Sequence, residues 1–280
     1  MKLRLGTSTY SFWHFSEVKT PIEYVMEQAY NLELDGVEIL EVQLESRDTS
    51  YLNSIKAKAL ELGLDIYCVA THQNFVSPSK EVREQEIEKT KKSLDLAYHL
   101  GSPIIRVNSG RWGTIKSFDE LMKNKGIEPP IKGYSEEDAF GWVIESLNKL
   151  LPYAENYGII LGLENHWGLT INPEGLLKII ESINSKYLQV LMDTGNFTEN
   201  IYESLRKIVK RAALVHAKTY FGGGVWYSLD IDYKEIYKIL REVNYKGYIS
   251  IEYEGKEEPT IGVKKSIDLI KNSFNPKNFG

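Results

Sequence analysis

Four apolar runs in the second half of the chain each end on a residue able to bind a metal ion or move a proton. IILGLE closes on Glu164, LQVLMD on Asp193, ALVH on His216 and YISIE on Glu252. If these runs are strands, side-chain alternation places Glu164 on the face of Gly162 and Ile160, Asp193 with Leu191, His216 with Leu214, and Glu252 with Ser250. The separations of 29, 23 and 36 residues are each about one strand plus one helix, so the four side chains reach a similar height on successive strands. Three carboxylates gathered in one place repel, and burying them unpaired is very costly. A divalent cation removes that difficulty. Three oxygen donors and one imidazole suit a six-coordinate Mn²⁺, Mg²⁺ or Co²⁺ with positions left for substrate or water; Zn²⁺ is the less natural choice without sulfur. Helix N-caps or loop polars that merely follow strands explain any one of the four, but not four on consecutive strands.

The elements that must hold these residues are legible along the chain. Short β-rich runs bounded by Gly, Asn or Asp predict strands at Leu3–Thr7, Gly36–Leu40, Asp65–Thr71, Pro103–Asn108, Ile159–Glu164, Leu188–Asp193, Ala213–Lys218 and Tyr248–Glu252. Helical spacing predicts Pro21–Leu32, Ser50–Leu62, Lys80–Leu100, Glu136–Tyr157, Pro173–Ile183, Tyr202–Lys210, Tyr233–Val243 and Thr260–Phe274 between and after them. Thr20 is placed to cap the first helix, with Pro21 as its first residue, and Gly63, Gly101 and Gly158 stand where left-handed C-caps are wanted. Eight strand–helix units in 280 residues predict an α/β fold, a (β/α)₈ TIM barrel forming a single domain over residues 1–280. The competitor, a doubly wound open sheet, usually has fewer strands at this size. Barrel enzymes carry their active sites at the C-terminal ends of the strands, where the four residues lie. The longest irregular stretch, Asn108 to Gly133, is long enough inside a compact chain to be read as functional.

Composition narrows the partners. The 34 Lys and Arg against 39 Asp and Glu give a net charge of −5 without long charged blocks, which argues against a nucleic-acid or anionic-membrane partner. A hydrophobic content of 42% and a charged content of 26% are those of a globular protein. One cysteine, Cys68, makes no internal disulfide and no cysteine-rich zinc site; it reads as a small buried hydrophobe. No run of eighteen apolar residues occurs, and MKLRLGTSTY turns polar before a signal-peptide core could form, so a soluble cytoplasmic protein is expected.

The motifs GLENHWG (Gly162–Gly168), MDTGNF (Met192–Phe197), VHAKTY (Val215–Tyr220) and GYISIEYEG (Gly247–Gly255) together resemble the sugar phosphate isomerase/epimerase family of xylose isomerase-like TIM barrels. The resemblance covers most of the chain, and the order and spacing of the motifs carry it. It implies that Glu164, Asp193, His216 and Glu252 bind one divalent metal, with Glu254, on the same face as Glu252, the competing fourth ligand. It also implies chemistry beside a carbonyl. A hydroxy-ketone chelates the metal, which acts as a Lewis acid on the enediolate formed when a carbon-bound proton leaves, while Glu164 and Glu252 remove and return that proton. The substrate implied is a small sugar or polyol, and family members are often dimers or tetramers, so a homo-oligomer is among the implications although no interface is legible.

Further residues at strand ends are candidates to hold sugar hydroxyls or polarise the carbonyl: Glu38, His72, Arg106, Asn108, His166 and Lys218. Each has a plainer explanation; His72 and His166 as loop residues, Lys218 as a structural partner of a rim carboxylate, Arg106 as an outward side chain. Trp13, Phe15, Trp112, Trp167, Tyr220 and Trp226 fall in loops after strands, where ring faces cover sugar C–H surfaces. His14 has no assignable role, His99 reads as surface or interhelical, and Gly222–Gly224 reads as a flexible lid. Ketose 3-epimerases of the family carry a His soon after the sixth-strand Asp and an Arg soon after the seventh-strand His. Here Asn196 and Lys218 are the only obvious polar stand-ins, and no phosphate-binding cluster is apparent. The leading expectation is therefore a metal-dependent isomerase or epimerase on a sugar or sugar derivative. A lyase of the inosose dehydratase kind is the alternative. An endonuclease IV-like phosphodiesterase needs more histidine than the five present, and a binding module without catalysis would not need both flanking carboxylates.

Overall fold

A computed structural model describes residues 3–274; residues 1–2 and 275–280, which the single-domain expectation includes, lie outside the described part. Eight parallel strands close into a barrel in chain order. They are β1 (Leu5–Ser8), β2 (Gly36–Leu40), β3 (Asp65–Ala70), β4 (Ile104–Val107), β5 (Ile160–Glu164), β6 (Leu188–Asp193), β7 (Ala212–Thr219) and β8 (Ile249–Tyr253). The helices are α1 (Ile22–Asn31), α2 (Thr49–Leu62), α3 (Lys80–Leu100), α4 (Phe118–Lys123), α5 (Glu136–Tyr157), α6 (Pro173–Ile183), α7 (Ile201–Ile208), α8 (Tyr233–Glu242) and α9 (Pro259–Ser273). The chain is thus a single (β/α)₈ TIM barrel rather than an open sheet. None of its described helices is long and apolar enough to cross a membrane.

Two departures from the expected elements have local causes. The Asn108–Gly133 stretch contains α4, a short helix capped by Ser117, whose hydroxyl accepts from Glu120 N. A six-residue helix lacks the length for a periodic signal. Thr20 does not cap α1: its Oγ1 donates to Phe12 O, so the helix starts one residue late, with Pro21 outside it. The glycine caps are as expected, with Gly63, Gly101 and Gly158 at φ 66°, 78° and 68°.

Alternation along the strands makes two cores. Outward residues such as Ile39, Val69, Ile105, Leu163, Met192 and Ile251 pack under the helices, fully buried. Inward residues Tyr67, Cys68, Ile104, Leu191, Leu214 and Tyr248 fill the lower barrel. Tyr67 and Tyr248 stack there with centroids 4.1 Å apart, and Tyr67 donates to Ser250 Oγ (2.7 Å). Gly6 on β1 makes room for them, since a Cβ at that position would lie 2.2 Å from Tyr67 Cε1. With the lower barrel plugged, the polar residues one step further along each strand are raised to the upper rim.

Candidate active site

Strand register brings the predicted residues together. Asp193 on β6 is the partner of His216 on β7, and Lys218 on β7 is the partner of Glu252 on β8. Glu164 arrives from the end of β5, where Asn165 braces it. That side chain donates from Nδ2 to Asp193 O (2.9 Å) and accepts from Asp193 N (2.7 Å), tying β5 to β6. Glu164, Asp193, His216 and Glu252 are all buried, and one ligand atom of each lies within 4.8 Å of the others. Two donors on opposite sides of an ion bound at about 2.1 Å stand roughly 4.2 Å apart, so this spacing is near that of one coordination sphere.

The imidazole is aimed by its far nitrogen. His216 Nε2 donates to Glu38 Oε2 (2.8 Å), which leaves Nδ1 facing Glu164 Oε1 (3.2 Å), Glu252 Oε1 (3.7 Å) and Asp193 Oδ2 (3.9 Å). Glu38, expected among the hydroxyl binders, therefore lies behind the histidine and does not line the cavity; its reach is spent on His216. Asn108 also stands behind the cavity wall, donating from Nδ2 to Glu164 Oε2 (3.0 Å). Glu254 is buried too, but turns to Tyr10 and Lys218, both 3.2 Å away, and is not one of the four clustered residues.

The donor set fits a divalent cation on its own chemistry. Asp193 Oδ2 is buried and accepts no hydrogen bond, although Lys218 Nζ is 3.3 Å away. Five carboxylates, Glu38, Glu164, Asp193, Glu252 and Glu254, face two permanent cations, Arg106 and Lys218, and one imidazole. When the acids are ionised and the ring is neutral, the shortfall is three charges, and a divalent ion removes most of it.

Electrostatics divide the carboxylates. Burial raises Asp193 to about 7, with Glu252 and Glu164 adding to the effect and Lys218 opposing it. Burial also pushes Glu252 upward, but Lys218 and His216 outweigh it and hold this group at about 2. Glu164 is likewise kept well below the usual carboxylate range, because Arg106, His166 and His216 overcome its burial. His216 is raised: desolvation lowers it, and Glu38, Glu252 and Glu164 more than compensate.

Above the cluster opens a cavity of about 400 Å³. Glu164 and Glu252 form part of its floor, and His72, Arg106, His166, Lys218 and Asn196 contribute polar groups to it. Arg106 points inward, its Nη1 3.7 Å from Glu164 and 3.8 Å from Glu252, and Nη2 donates to His72 Nε2 (3.0 Å), which requires that ring nitrogen to be unprotonated. Burial and then Arg106 push His72 down to about 3; burial, Arg106 and Lys218 hold His166 at about 4 against the pull of Glu164. Lys218 Nζ is 3.3 Å from Asn196 Oδ1, so the two polar stand-ins named from sequence meet.

Of the loop aromatics, Phe15, Trp167 and Trp226 line the cavity. Trp13 is buried beside Phe15, Trp112 packs edge-on to Trp142, and Tyr220 packs against Tyr227. Tyr10, Phe118 and Tyr227 also line the cavity without having been singled out. Tyr10 follows the first strand and lies within reach of the strand-end criterion; Phe118 opens the short helix α4 and Tyr227 sits in a loop, and neither carries a periodic signal. His14 Nε2 donates to Tyr253 O (2.6 Å), and His99 meets Asn53 between α3 and α2. Gly222–Gly224 is a bonded turn and no open lid: Gly224 pairs with Gly255, its N donates to Ser228 Oγ, and Val225 N donates to Glu254 O.

A closed eight-stranded barrel with a carboxylate–histidine cluster at its upper rim defines a class, and comparison with known proteins gives the family. Residues 26–273 match the family model described as xylose isomerase-like TIM barrel, and the chain belongs to that family. An uncharacterized protein of Methanocaldococcus jannaschii is 26% identical over 243 residues, covering 81% of this chain and 75% of that one. An inosose dehydratase of Clostridium perfringens is 28% identical over 168 residues, about half of each chain (48% and 54%). Among solved structures, a D-psicose 3-epimerase from Clostridium cellulolyticum H10 superposes with a TM-score of 0.78 at 16% identity, over 98% of this chain and 100% of that one, a likeness of fold.

Proposed function

We propose that this protein is a divalent-metal-dependent isomerase or epimerase of a sugar or sugar derivative, with Glu164, Asp193, His216 and Glu252 as ligands of one Mn²⁺, Mg²⁺ or Co²⁺ ion. The observation that carries this reading is the disposition of Glu164 and Glu252. Both line the cavity, both are kept acidic enough to be ionised at neutral pH, and each turns Oε1 toward His216 Nδ1. Their Oε2 atoms face other partners, Asn108 for Glu164 and Lys218 for Glu252. Each carboxylate thus keeps one oxygen that is turned away from His216, held by a side-chain amide in Glu164 and by an ammonium in Glu252.

A divalent ion at the cluster supplies a Lewis acid for the substrate carbonyl. Glu164 Oε2 takes the proton from the carbon beside that carbonyl. Glu252 Oε2 takes up a proton from solvent and delivers it to the opposite face or the adjacent carbon, and Glu164 then releases its own to solvent; the reverse direction exchanges the roles. Arg106, His72, His166, Lys218 and Asn196 hold hydroxyls, and the loop aromatics exclude water. Glu38 and Asn108 act as positioning residues for His216 and Glu164. In D₂O, the metal-supplemented protein is expected to place deuterium at carbon in at least one keto-sugar of a broad panel, seen by NMR. Absence of incorporation across the panel contradicts the reading.

The match to inosose dehydratases favours elimination as the second reading. The same proton loss would leave its electron pair to form a C=C bond, with a β-hydroxyl departing, protonated, as water. An unsaturated product absorbing in the ultraviolet distinguishes it from isomerisation.

A further inference from the structure

We propose that the substrate is an uncharged ketose carrying a second ring, with the reacting sugar on the carboxylate floor and the second ring against an aromatic collar at the mouth. This rests on the isomerase or epimerase reading. The cavity of about 400 Å³ lies in the range of sites that enclose drug-sized ligands. One hexose at the packing density of a protein interior takes roughly 200 Å³, which leaves about half the space unfilled.

The unfilled part is the mouth. Glu164 and Glu252 on the floor are 1% and 3% exposed, whereas Phe15, Phe118 and Trp226 are 51%, 37% and 40% exposed. With Trp167 these rings come from four different strand-to-helix connections, Phe118 from the short helix α4 within one of them. Phe118 stands edge-on to Trp226, centroids 4.7 Å apart, and 5.5 Å from Trp167, so the three make a continuous wall. Phe15 faces the same cavity from a turn in which it and His14 adopt left-handed backbone, at φ 56° and 49°; the His14 bond to Tyr253 O holds that turn. Ring faces suit the C–H surfaces of a sugar and offer nothing to a phosphate.

Charge points the same way. Among the described residues lining the cavity, the cations are Arg106 and Lys218, and both are buried and already shared among carboxylates. Arg106 lies between Glu164 and Glu252, and Lys218 is 3.0 Å from Glu252 and 3.2 Å from Glu254. Among the described residues no lysine or arginine lines the mouth, so a phosphate there would carry negative charge toward the acidic floor without a counter-charge from them. Asn196 Nδ2, by contrast, is buried in the cavity wall without a partner, a neutral donor suited to a hydroxyl.

Calorimetric titration of the full chain with saturating Mg²⁺ tests this on two matched pairs. Fructose 6-phosphate is compared with isomaltulose, which has glucose on the same oxygen, and fructose 1-phosphate with trehalulose; fructose is the reference. At least one disaccharide is expected to bind tenfold or more tighter than fructose, and neither phosphate tighter than fructose. Phe118→Ala and Trp226→Ala should bring the disaccharide-to-fructose affinity ratio toward one. Disaccharides no tighter than fructose, a phosphate tighter than its matched disaccharide, or no binding by any of the sugars overturns the proposal. A tenfold disaccharide gain with no deuterium exchange in any ketose contradicts the isomerase or epimerase reading alone. Exchange in fructose without that gain contradicts the two-ring substrate alone.

Discussion

Glu252→Gln is expected to lower net conversion of a ketose by about 10²–10⁴-fold, the contribution typical of a positioned acid–base group. The amide keeps the size of the side chain and one oxygen donor, but it cannot carry a proton. Lys218 loses one of its acidic neighbours and keeps Asp193 and Glu254, so the local packing survives. Because Glu164 remains, the variant should still exchange with solvent the hydrogen that a substrate presents to Glu164, while conversion stalls. Glu164→Gln should show the mirror-image behaviour with the other epimer or isomer, and the double variant should lose little beyond either single one, since the two carboxylates act as a unit. Conversion at the unmutated rate in either variant would remove that residue from proton transfer. Loss of conversion fully matched by loss of metal affinity would reduce it to a ligand.

The second large effect is expected away from the cavity. Glu38 touches no substrate in this account, yet Glu38→Gln should weaken Mn²⁺ binding by about 10–100-fold, as loss of a carboxylate behind a ligating histidine typically does. Its Oε2 accepts from His216 Nε2 at 2.8 Å, and the side chain is fully buried. The carboxylate fixes which imidazole nitrogen carries the proton and makes Nδ1 a stronger donor. Gln can still accept a hydrogen bond, but it can also turn its amide toward the ring and brings no charge. The check is the Mn²⁺ affinity measured by loss of the free-ion electron paramagnetic resonance signal. Rescue of binding by Glu38→Asp would support the positioning role, and unchanged affinity in Glu38→Gln would exclude it.

Much of this is legible in the sequence, for a physical reason. Side chains alternate along the upper part of each barrel strand, so Leu191, Leu214 and Ser250 point inward together with the polar residue two positions on, and apolar runs ending in Asp193, His216 and Glu252 announce both the fold and the rim. What alternation does not encode is contact across the barrel. Glu38 and His216 are 178 positions apart and meet only because the closed sheet faces β2 toward β7. Taken as a strand-end polar residue, Glu38 looked like a hydroxyl binder; the fold places it behind the histidine. Parity also puts Glu252 and Glu254 on the same face; in the structure Glu252 clusters with Glu164, Asp193 and His216, while Glu254 turns to Tyr10 and Lys218. Phe118 was missed because α4 is too short to carry a pattern and lies in a stretch read as irregular.

Anomalous scattering from a crystal of this protein grown with Mn²⁺ tests the central claim most directly. A single manganese peak is predicted within coordination distance of Glu164, Asp193, His216 Nδ1 and Glu252, absent from the same crystals of His216→Ala. A peak bound elsewhere on the chain, or no ordered ion while those four side chains stay paired among themselves and with Lys218 and Arg106, would contradict it.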